Sequence, residues 1–250
     1  MELEVIGGVA VLSMRTGKAN AMGTAFFDRL STQLDALESS HAAALVLTGE
    51  GRAFSAGLDL REVTALDRAG LERFIRRFSE VMLRVFALPL PVVAAINGHA
   101  IAGGCVLALQ ADVRLAAAGD ARIGLNEVQN GLGLPAVVLE TLRCQVPART
   151  LAPVALEGRL VGPEEAHALG LVDEVVPPAQ LLAAAVLRAS ALAALPGPAF
   201  RQIKQAIRAP IIELVRRVEA EDARLWVETA FSPLARARLA EVVARLTRRA

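Results

Sequence analysis

The chain alternates short apolar runs with longer stretches in which apolar residues recur at helical spacing. Residues 44–48 and 91–96 are continuous apolar runs typical of buried strands. Residues 21–38 and 67–87 carry apolar side chains three and four positions apart, which predicts two amphipathic helices. Strands that alternate with helices in this way predict an α/β fold with crossover connections.

The character of the sequence changes after Pro196, where strand-like runs stop and arginine-bearing helical stretches continue to Ala250. We therefore predict a core over residues 1–195 and a C-terminal helical region over 196–250. Each predicted helix of this region has an apolar side, which suits docking on the core or on a neighbouring subunit.

Composition narrows the class of protein. The 250 residues are 54% hydrophobic, enough for a large core. The 27 Lys and Arg residues nearly balance 26 Asp and Glu residues, which gives no reason to expect nucleic acid or an acidic membrane as partner. We interpret Cys105 and Cys144 as reduced core residues. The N-terminus lacks a targeting pattern and no apolar run reaches spanning length, so we expect a cytoplasmic protein.

Two predicted strands end in similar ways. Thr48-Gly49 is followed by Ala56-Gly57-Leu58, and Asn97-Gly98 is followed by Ala102-Gly103-Gly104. Glycine-rich loops after a strand let the backbone approach a ligand closely and present its N–H groups.

Several catalytic motifs are absent from the sequence: the phosphate-binding P-loop, the Gly-x-Ser-x-Gly elbow and His-Glu-x-x-His. Residues 131–136 superficially match the dinucleotide fingerprint. The preceding residues 127–130 are not a buried strand, as that motif requires, so we do not expect a nicotinamide cofactor.

Three segments occur together, in order and at the spacing of the crotonase (enoyl-CoA hydratase/isomerase) superfamily: Phe-Ser-Ala-Gly-Leu-Asp-Leu at 54–60, Ile-Asn-Gly-His-Ala-Ile-Ala-Gly-Gly-Cys-Val at 96–106, and Ile-Gly-Leu-Asn-Glu-Val at 123–128. The resemblance extends from Lys18 to Asp173. Within the superfamily the sequence most resembles the short-chain Δ3,Δ2-enoyl-CoA isomerases (dodecenoyl-CoA isomerases) of the mitochondrial type. This resemblance implies an α/β crotonase (ClpP-like) spiral of strand-strand-helix units with two roughly perpendicular sheets. It also implies a C-terminal helical region that forms a homotrimer or a dimer of trimers.

The resemblance also assigns roles to residues. The backbone N–H groups of Leu58 and Gly103 correspond to the family's oxyanion donors, and Glu127 to its acid and base. Val106 stands where hydratases carry a further glutamate, and it can neither transfer a proton nor hold a water. The implied substrate-binding residues are Ala56, Gly57, Leu58, Asp59, Leu60, Gly103 and Asn126.

A single carboxylate beside an oxyanion hole suits the conversion of 3-enoyl-CoA to 2-enoyl-CoA in fatty acid β-oxidation. A proton shift of this kind requires no metal or redox group, so we expect no cofactor. Coenzyme A enters as part of the substrate. Arg15 and Lys18 are candidates to meet its phosphates. Two alternatives stay open: another enolate reaction of the family, such as that of a hydratase, hydrolase, decarboxylase or dienoyl-CoA isomerase, and a catalytically silent CoA-binding scaffold.

Overall fold

Strands and helices alternate along the chain in a computed structural model that describes residues 1–248, apart from the Lys18 side chain. The strands are β1 (Glu2–Ile6), β2 (Val9–Met14), β3 (Ala44–Gly49), β4 (Ala53–Ser55), β5 (Val92–Ile96), β6 (His99–Ile101), β7 (Val113–Ala117), β8 (Ile123–Gly124) and β9 (Glu174–Val176). The helices are α1 (Thr24–Ser39), α2 (Leu60–Ala65), α3 (Arg68–Phe86), α4 (Gly103–Leu109), α5 (Ala136–Gln145), α6 (Pro163–Ala168), α7 (Leu181–Ala193), α8 (Gly197–Ala230) and α9 (Pro233–Arg248).

The predicted elements are present with small shifts at their ends. Strands β3 and β5 occupy the two apolar runs, and helices α1 and α3 occupy the two amphipathic stretches. Helix α1 begins later than predicted because Met22 is extended and forms a parallel bridge with Leu58. That bridge ties the start of α1 to the loop after β4.

The strands form two sheets. The larger has the order β1-β2-β3-β5-β7-β9, and the smaller has the order β4-β6-β8. Only the β1–β2 pair is antiparallel, and the other pairs are parallel. A strand of the large sheet, a strand of the small sheet and then a helix recur in three repeats, which begin at β3, β5 and β7. This is the strand-strand-helix spiral that the motifs predicted.

Both faces of the large sheet are buried at its central strands β2, β3 and β5. Leu45 and Leu47 of β3 pack on one side, whereas Ala44 and Val46 pack on the other with helix α7. The same two-residue alternation holds in β2 and β5. Because both faces are covered, these strands are apolar at nearly every position.

The C-terminal helices share the main core. Helix α8 runs along α3 and α5, and its Val215, Trp226 and Val227 belong to the same hydrophobic cluster as the sheet. The predicted boundary near residue 195 falls between α7 and α8. Among residues 1–248, no helix on its own is both long and apolar enough to cross a membrane. The consecutive helices Pro178–Ala193 and Gly197–Ala230, which meet at a sharp bend, reach that length and apolar content only when they are counted together.

A buried ion cluster anchors the first half of α8. Lys204 Nζ lies 2.7 Å from Asp112 Oδ2, and Arg208 Nη2 lies 2.6 Å from Asp112 Oδ1. Lys204 also donates to the carbonyl oxygen of Leu90 at 2.7 Å. Desolvation lowers the pKa of Lys204 to about 8, although Asp112 opposes that shift. Asp112 therefore balances two cations that are otherwise removed from water.

One prediction about the core was wrong. Cys105 is buried in α4, but Cys144 is exposed near the end of α5. Helix α5 buries Val137, Val138, Thr141 and Leu142, whereas Arg143 and Cys144 in its last turn are exposed. An apolar helix with only one buried face leaves such positions in water.

Candidate active site

Three loops meet at one edge of the small sheet. Leu58 follows β4, Gly103 follows β6 and Glu127 follows β8, each two or three residues after its strand ends. The three strands are neighbours and parallel, so their carboxyl ends lie side by side. The repeated topology therefore brings together three residues that are far apart in sequence.

The loop after β4 leaves the Leu58 N–H free. Met22 N–H donates to the Gly57 carbonyl at 2.8 Å, and Asp59 N–H donates to the Met22 carbonyl at 3.0 Å. The intervening Leu58 N–H forms no hydrogen bond with any described part of the chain, and Leu58 lines a cavity of about 770 Å³. An unpaired N–H at a cavity wall is an available donor for a ligand oxygen.

The second N–H belongs to Gly103 at the start of α4. As the first residue of the helix its N–H has no intrahelical acceptor, and no other acceptor occurs among residues 1–248. The preceding Ala102 has φ 51° and ψ −122°, a strained conformation for a residue with a Cβ. Its N–H donates to the Gly124 carbonyl at 2.9 Å, which helps to hold the strained turn.

Close packing between the loops requires glycine at two positions. Gly57 has φ +88°, and a Cβ there would lie 2.8 Å from the Ile101 carbonyl oxygen. A Cβ on Gly104 would lie 2.1 Å from the Ser55 carbonyl oxygen. Any other residue at either position would push the two loops apart.

Glu127 presents a carboxyl group that is largely withdrawn from solvent. The residue is only partly exposed, and its Oε2 atom is buried without a hydrogen-bond partner among the described residues. Desolvation raises the pKa of Glu127 to about 7. The neighbouring Cys105 thiol has its pKa raised to about 12, first by burial and then by the negative charge of Glu127.

The backbone around Glu127 is fixed by local hydrogen bonds. Its carbonyl accepts from Asn130 N–H at 2.9 Å and from Leu132 N–H at 3.0 Å. The carbonyl of Asn126 accepts from the Asn130 side chain at 3.2 Å. A buried, unpaired carboxylate oxygen on a rigid turn can accept a proton from a substrate carbon held beside it.

Most residues predicted for the site line this cavity. They are Ala56, Leu58, Asp59, Leu60, Gly103, Asn126 and Glu127. Gly57 does not line it and instead lies beneath the two donor loops. Asp59 accepts a hydrogen bond from Arg61 N–H at 3.0 Å and so caps helix α2. Val106 is fully buried in the core behind the cavity wall.

The C-terminal helices contribute residues that the motifs did not indicate. Helix α9 packs on α2 and on the 3₁₀ turn after Glu127, and Arg236 donates to the Thr64 carbonyl at 3.1 Å. Trp226 of α8 and Arg238 and Arg245 of α9 line the cavity. The chain thus covers its own site with its last two helices.

A buried asparagine joins the first loop of the site to β4. Asn20 donates to the carbonyls of Ala53 and Phe54 at 3.3 and 3.1 Å, and accepts from Thr16 N–H at 2.9 Å. Asn20 was not among the residues that the motifs predicted for the site. The available signal was a short polar side chain between two alanines, because such a side chain often hydrogen-bonds to nearby backbone.

Arg15 and Lys18 were the two basic residues predicted to contact the phosphates of coenzyme A. Arg15 forms ion pairs with Glu2 at 2.9 Å and Glu50 at 2.8 Å, and it does not line the cavity. The Lys18 side chain lies outside the described part of the chain. The arginines that do line the cavity are Arg61, Arg238 and Arg245.

Comparison with known proteins identifies relatives of both the sequence and the structure. A family model described as enoyl-CoA hydratase/isomerase matches residues 4–233. The sequence is 33% identical over 226 residues to human mitochondrial enoyl-CoA delta isomerase 1, covering 88% of this chain and 74% of that protein. It is 36% identical over 233 residues to a probable enoyl-CoA hydratase of Rhodobacter capsulatus, covering 90% of this chain and 87% of that protein. The crystal structure of human mitochondrial delta3-delta2-enoyl-CoA isomerase superposes with a TM-score of 0.95 at 29% identity, covering 99% of this chain and 98% of that one.

Proposed function

Because the chain belongs to the enoyl-CoA hydratase/isomerase family of the crotonase superfamily, as its motifs predicted, we propose that it converts 3-enoyl-CoA to 2-enoyl-CoA in fatty acid β-oxidation. The observation that carries this proposal is the buried, unpaired Oε2 of Glu127 beside two available N–H donors. Asp59, the other carboxylate of the cavity, is occupied in capping α2. One acid-base group is enough for a 1,3-shift of a proton.

In the proposed reaction Glu127 removes a proton from C2 of the 3-enoyl thioester. The electron pair of that C–H bond moves toward the carbonyl, and the thioester oxygen gains negative charge as a dienolate forms. Protonated Glu127 then returns the proton to C4, while the C2–C3 double bond forms and the carbonyl is restored. No atom is gained or lost, so the same carboxylate is ready for the next substrate.

The Leu58 and Gly103 N–H groups stabilise the dienolate oxygen. Both belong to rigid backbone, so they need no reorganisation when charge develops. The withdrawal of the Glu127 carboxyl group from solvent serves the same step, because a carboxylate with a pKa of about 7 is a stronger base than one with the ordinary value of 4.5.

The charge around the cavity supports a substrate that carries phosphates. Arg61, Arg238 and Arg245 line it, and none of them forms an ion pair within residues 1–248. All three are exposed. Guanidinium groups bind phosphate oxygens well, and coenzyme A is rich in them.

Val106 argues against hydration as the main activity. Hydration needs one group to activate a water and another to manage the proton at the neighbouring carbon. A valine buried in the core at that position provides neither function.

The decisive experiment compares two reactions of the purified protein over a series of acyl lengths. The 3-enoyl-CoA esters should be isomerised at least about a hundredfold faster than the 2-enoyl-CoA esters are hydrated, since a missing general acid-base group costs that much or more. Equal rates would mean that a second acid completes a hydratase site. Absence of both reactions, with CoA esters still bound, would favour the silent scaffold.

The proposal includes a homotrimer or a dimer of trimers. Exposed apolar side chains occur on the two consecutive helices before and after residue 195, where Leu187 is 73% exposed and Ile207 is 58% exposed. Large exposed apolar groups favour a subunit contact. Light scattering should give three or six times the mass of one chain, and a monomer at micromolar concentration would refute this part of the proposal.

A further inference from the structure

Two kinds of residue line the cavity. Arg61, Arg238 and Arg245 are exposed. A second group is buried and apolar, and it consists of Ile75, Phe78, Leu132, Val138 and Trp226. A thioester bound here is best matched with its polar coenzyme on the arginines and its acyl chain against the buried apolar group.

Trp226 is held firmly in the buried apolar part of the lining. Its side chain is buried, and its Nε1–H donates to the Gly133 carbonyl at 3.0 Å. Moving the indole would leave that carbonyl without its partner and would open the core between α8 and α5.

Neighbouring residues on the same side of α8 strengthen this attachment. Asp222 accepts from Ala136 N–H at 2.8 Å, and Thr229 accepts from Gly133 N–H at 2.9 Å. Residues 222, 226 and 229 lie four and three positions apart, so they share one helix face. Together they fasten α8 to the segment that follows Glu127.

We infer that Trp226 is the end wall of the acyl-chain pocket and sets the longest straight acyl chain that fits fully inside it. This inference rests on the proposed function for the direction in which the acyl chain lies. Each methylene buried before the wall tightens binding about fourfold. A methylene beyond the wall must displace a packed, hydrogen-bonded ring, so the gain stops or reverses there.

The chain offers an internal probe for this inference, because Trp226 is its one tryptophan and it contains no tyrosine. Saturated acyl-CoA esters from acetyl to palmitoyl bind without undergoing isomerisation, so they separate binding from chemistry. Their affinities and the indole emission on excitation at long wavelength are measured in the same titration. Esters with bromine on the terminal carbon add a quencher that acts only on contact.

We expect affinity to rise with chain length to a limit, and terminal bromine to quench the indole only as that limit is approached. Acetyl-CoA should leave the emission nearly unchanged. Equal emission changes for acetyl-CoA and for long esters, or no bromine quenching at any length, would overturn the inference.

Variants locate the wall. Trp226→Leu should move the limit outward by at least two methylenes and so tighten binding of the longer esters about sixteenfold, at fourfold per methylene, whereas Trp226→Phe should move it by one at most. Leu225→Ala changes an exposed neighbour outside the cavity and should leave the limit in place. An unchanged limit in folded Trp226→Leu would refute the inference, and if that variant does not fold, the quenching experiment on the natural chain decides.

The outcomes for this pocket and for the proposed reaction are distinct. Contact between long saturated chains and the indole, without turnover of any 3-enoyl-CoA, would support the end wall and refute the isomerase. Isomerisation of 3-enoyl-CoA without any contact between long acyl chains and the indole would support the isomerase and refute the end wall.

Discussion

Gly57 lies directly against Gly103, so that a Cβ on the first would come within 3.1 Å of the backbone nitrogen of the second. The loops that carry the two available N–H groups are therefore packed on each other through main-chain atoms. Neither N–H can move without displacing the other loop. This contact fixes the distance between the donors before any substrate arrives.

Removing one donor should impair catalysis without removing the cavity. Leu58→Pro deletes the N–H at that position, and loss of one oxyanion donor costs about 2.7 to 4 kcal/mol of transition-state stabilisation. We expect kcat to fall by roughly a hundredfold to a thousandfold. Leu58→Ala keeps the N–H and is the matched control; a thermal melt and the oligomer size check the fold, because proline also restricts Gly57. Equal losses in both variants would point to the leucine side chain.

Replacing Glu127 with glutamine should abolish most of the activity. Glutamine has a similar shape but cannot accept the C2 proton, and loss of general acid-base catalysis costs about a hundredfold to ten-thousandfold. Binding of a saturated acyl-CoA should be retained. Glu157→Gln makes the same change on the exposed surface and should leave kcat unaltered. Near-normal turnover by Glu127→Gln would refute the mechanism.

The raised pKa of Glu127 sets the pH dependence of the reaction. The base must be ionised, so kcat/KM should increase with pH, reach half of its maximum near pH 7 and level off above that value. Initial rates with a 3-enoyl-CoA ester over pH 5 to 9 measure the profile. A half-maximum near pH 4.5 would mean that Glu127 is well solvated during the reaction.

The same pKa links Glu127 to stability. Its pKa is about 7 in the folded chain and near 4.5 in the unfolded one, so ionisation favours unfolding as pH rises between these values. Glu127→Gln removes that penalty and should be more stable than the natural chain at pH 8, by at most about 3 kcal/mol. Near pH 4 the variant and the natural chain should have similar free energies of unfolding. Denaturant titrations of both proteins at pH 4 and pH 8 measure these free energies. If the variant is stabilised by the same amount at both pH values, the raised pKa does not belong to Glu127.

The ion cluster below α8 should matter more for stability than any surface pair. Asp112→Asn leaves Lys204 and Arg208 buried without a counter-charge, and breaking a buried pair costs about 3 to 5 kcal/mol. Glu38→Gln removes an exposed partner of Arg84 and should cost less than about 1 kcal/mol. Midpoints of urea unfolding compare the two. Similar midpoints would mean that water reaches the cluster.

Local motifs were enough to predict that Leu58, Gly103 and Glu127 lie together at one cavity, because each lies in a short segment whose loop is built from near neighbours. The strands β3 and β5 were equally accessible, since burial on both faces makes them continuously apolar. Trp226 could not be found in this way. Its place in the cavity depends on how α8 folds back over a segment about a hundred residues earlier in the chain.

The position of Arg238 at the cavity could not be predicted for a related reason. An arginine on an exposed helix is usually solvated, and only the packing of α9 on α2 brings this one to the cavity. Asn20 precedes the first repeat, and its partners Ala53 and Phe54 lie more than thirty residues later in β4, so the local sequence does not indicate the contact. Exposure of Cys144 was missed because composition does not indicate which side of α5 faces the core.

The three-repeat arrangement has a consequence for how such a protein tolerates mutation. Two of its repeats contribute main-chain amides, which no exchange of side chains at those residues deletes unless it introduces proline. The third contributes a side chain, which a single codon change can replace. In the proposed reaction, the groups that stabilise charge are therefore insensitive to side-chain exchange at Leu58 and Gly103, whereas the group that transfers the proton can be exchanged by one mutation. A lineage could in this way change its reaction without changing its fold.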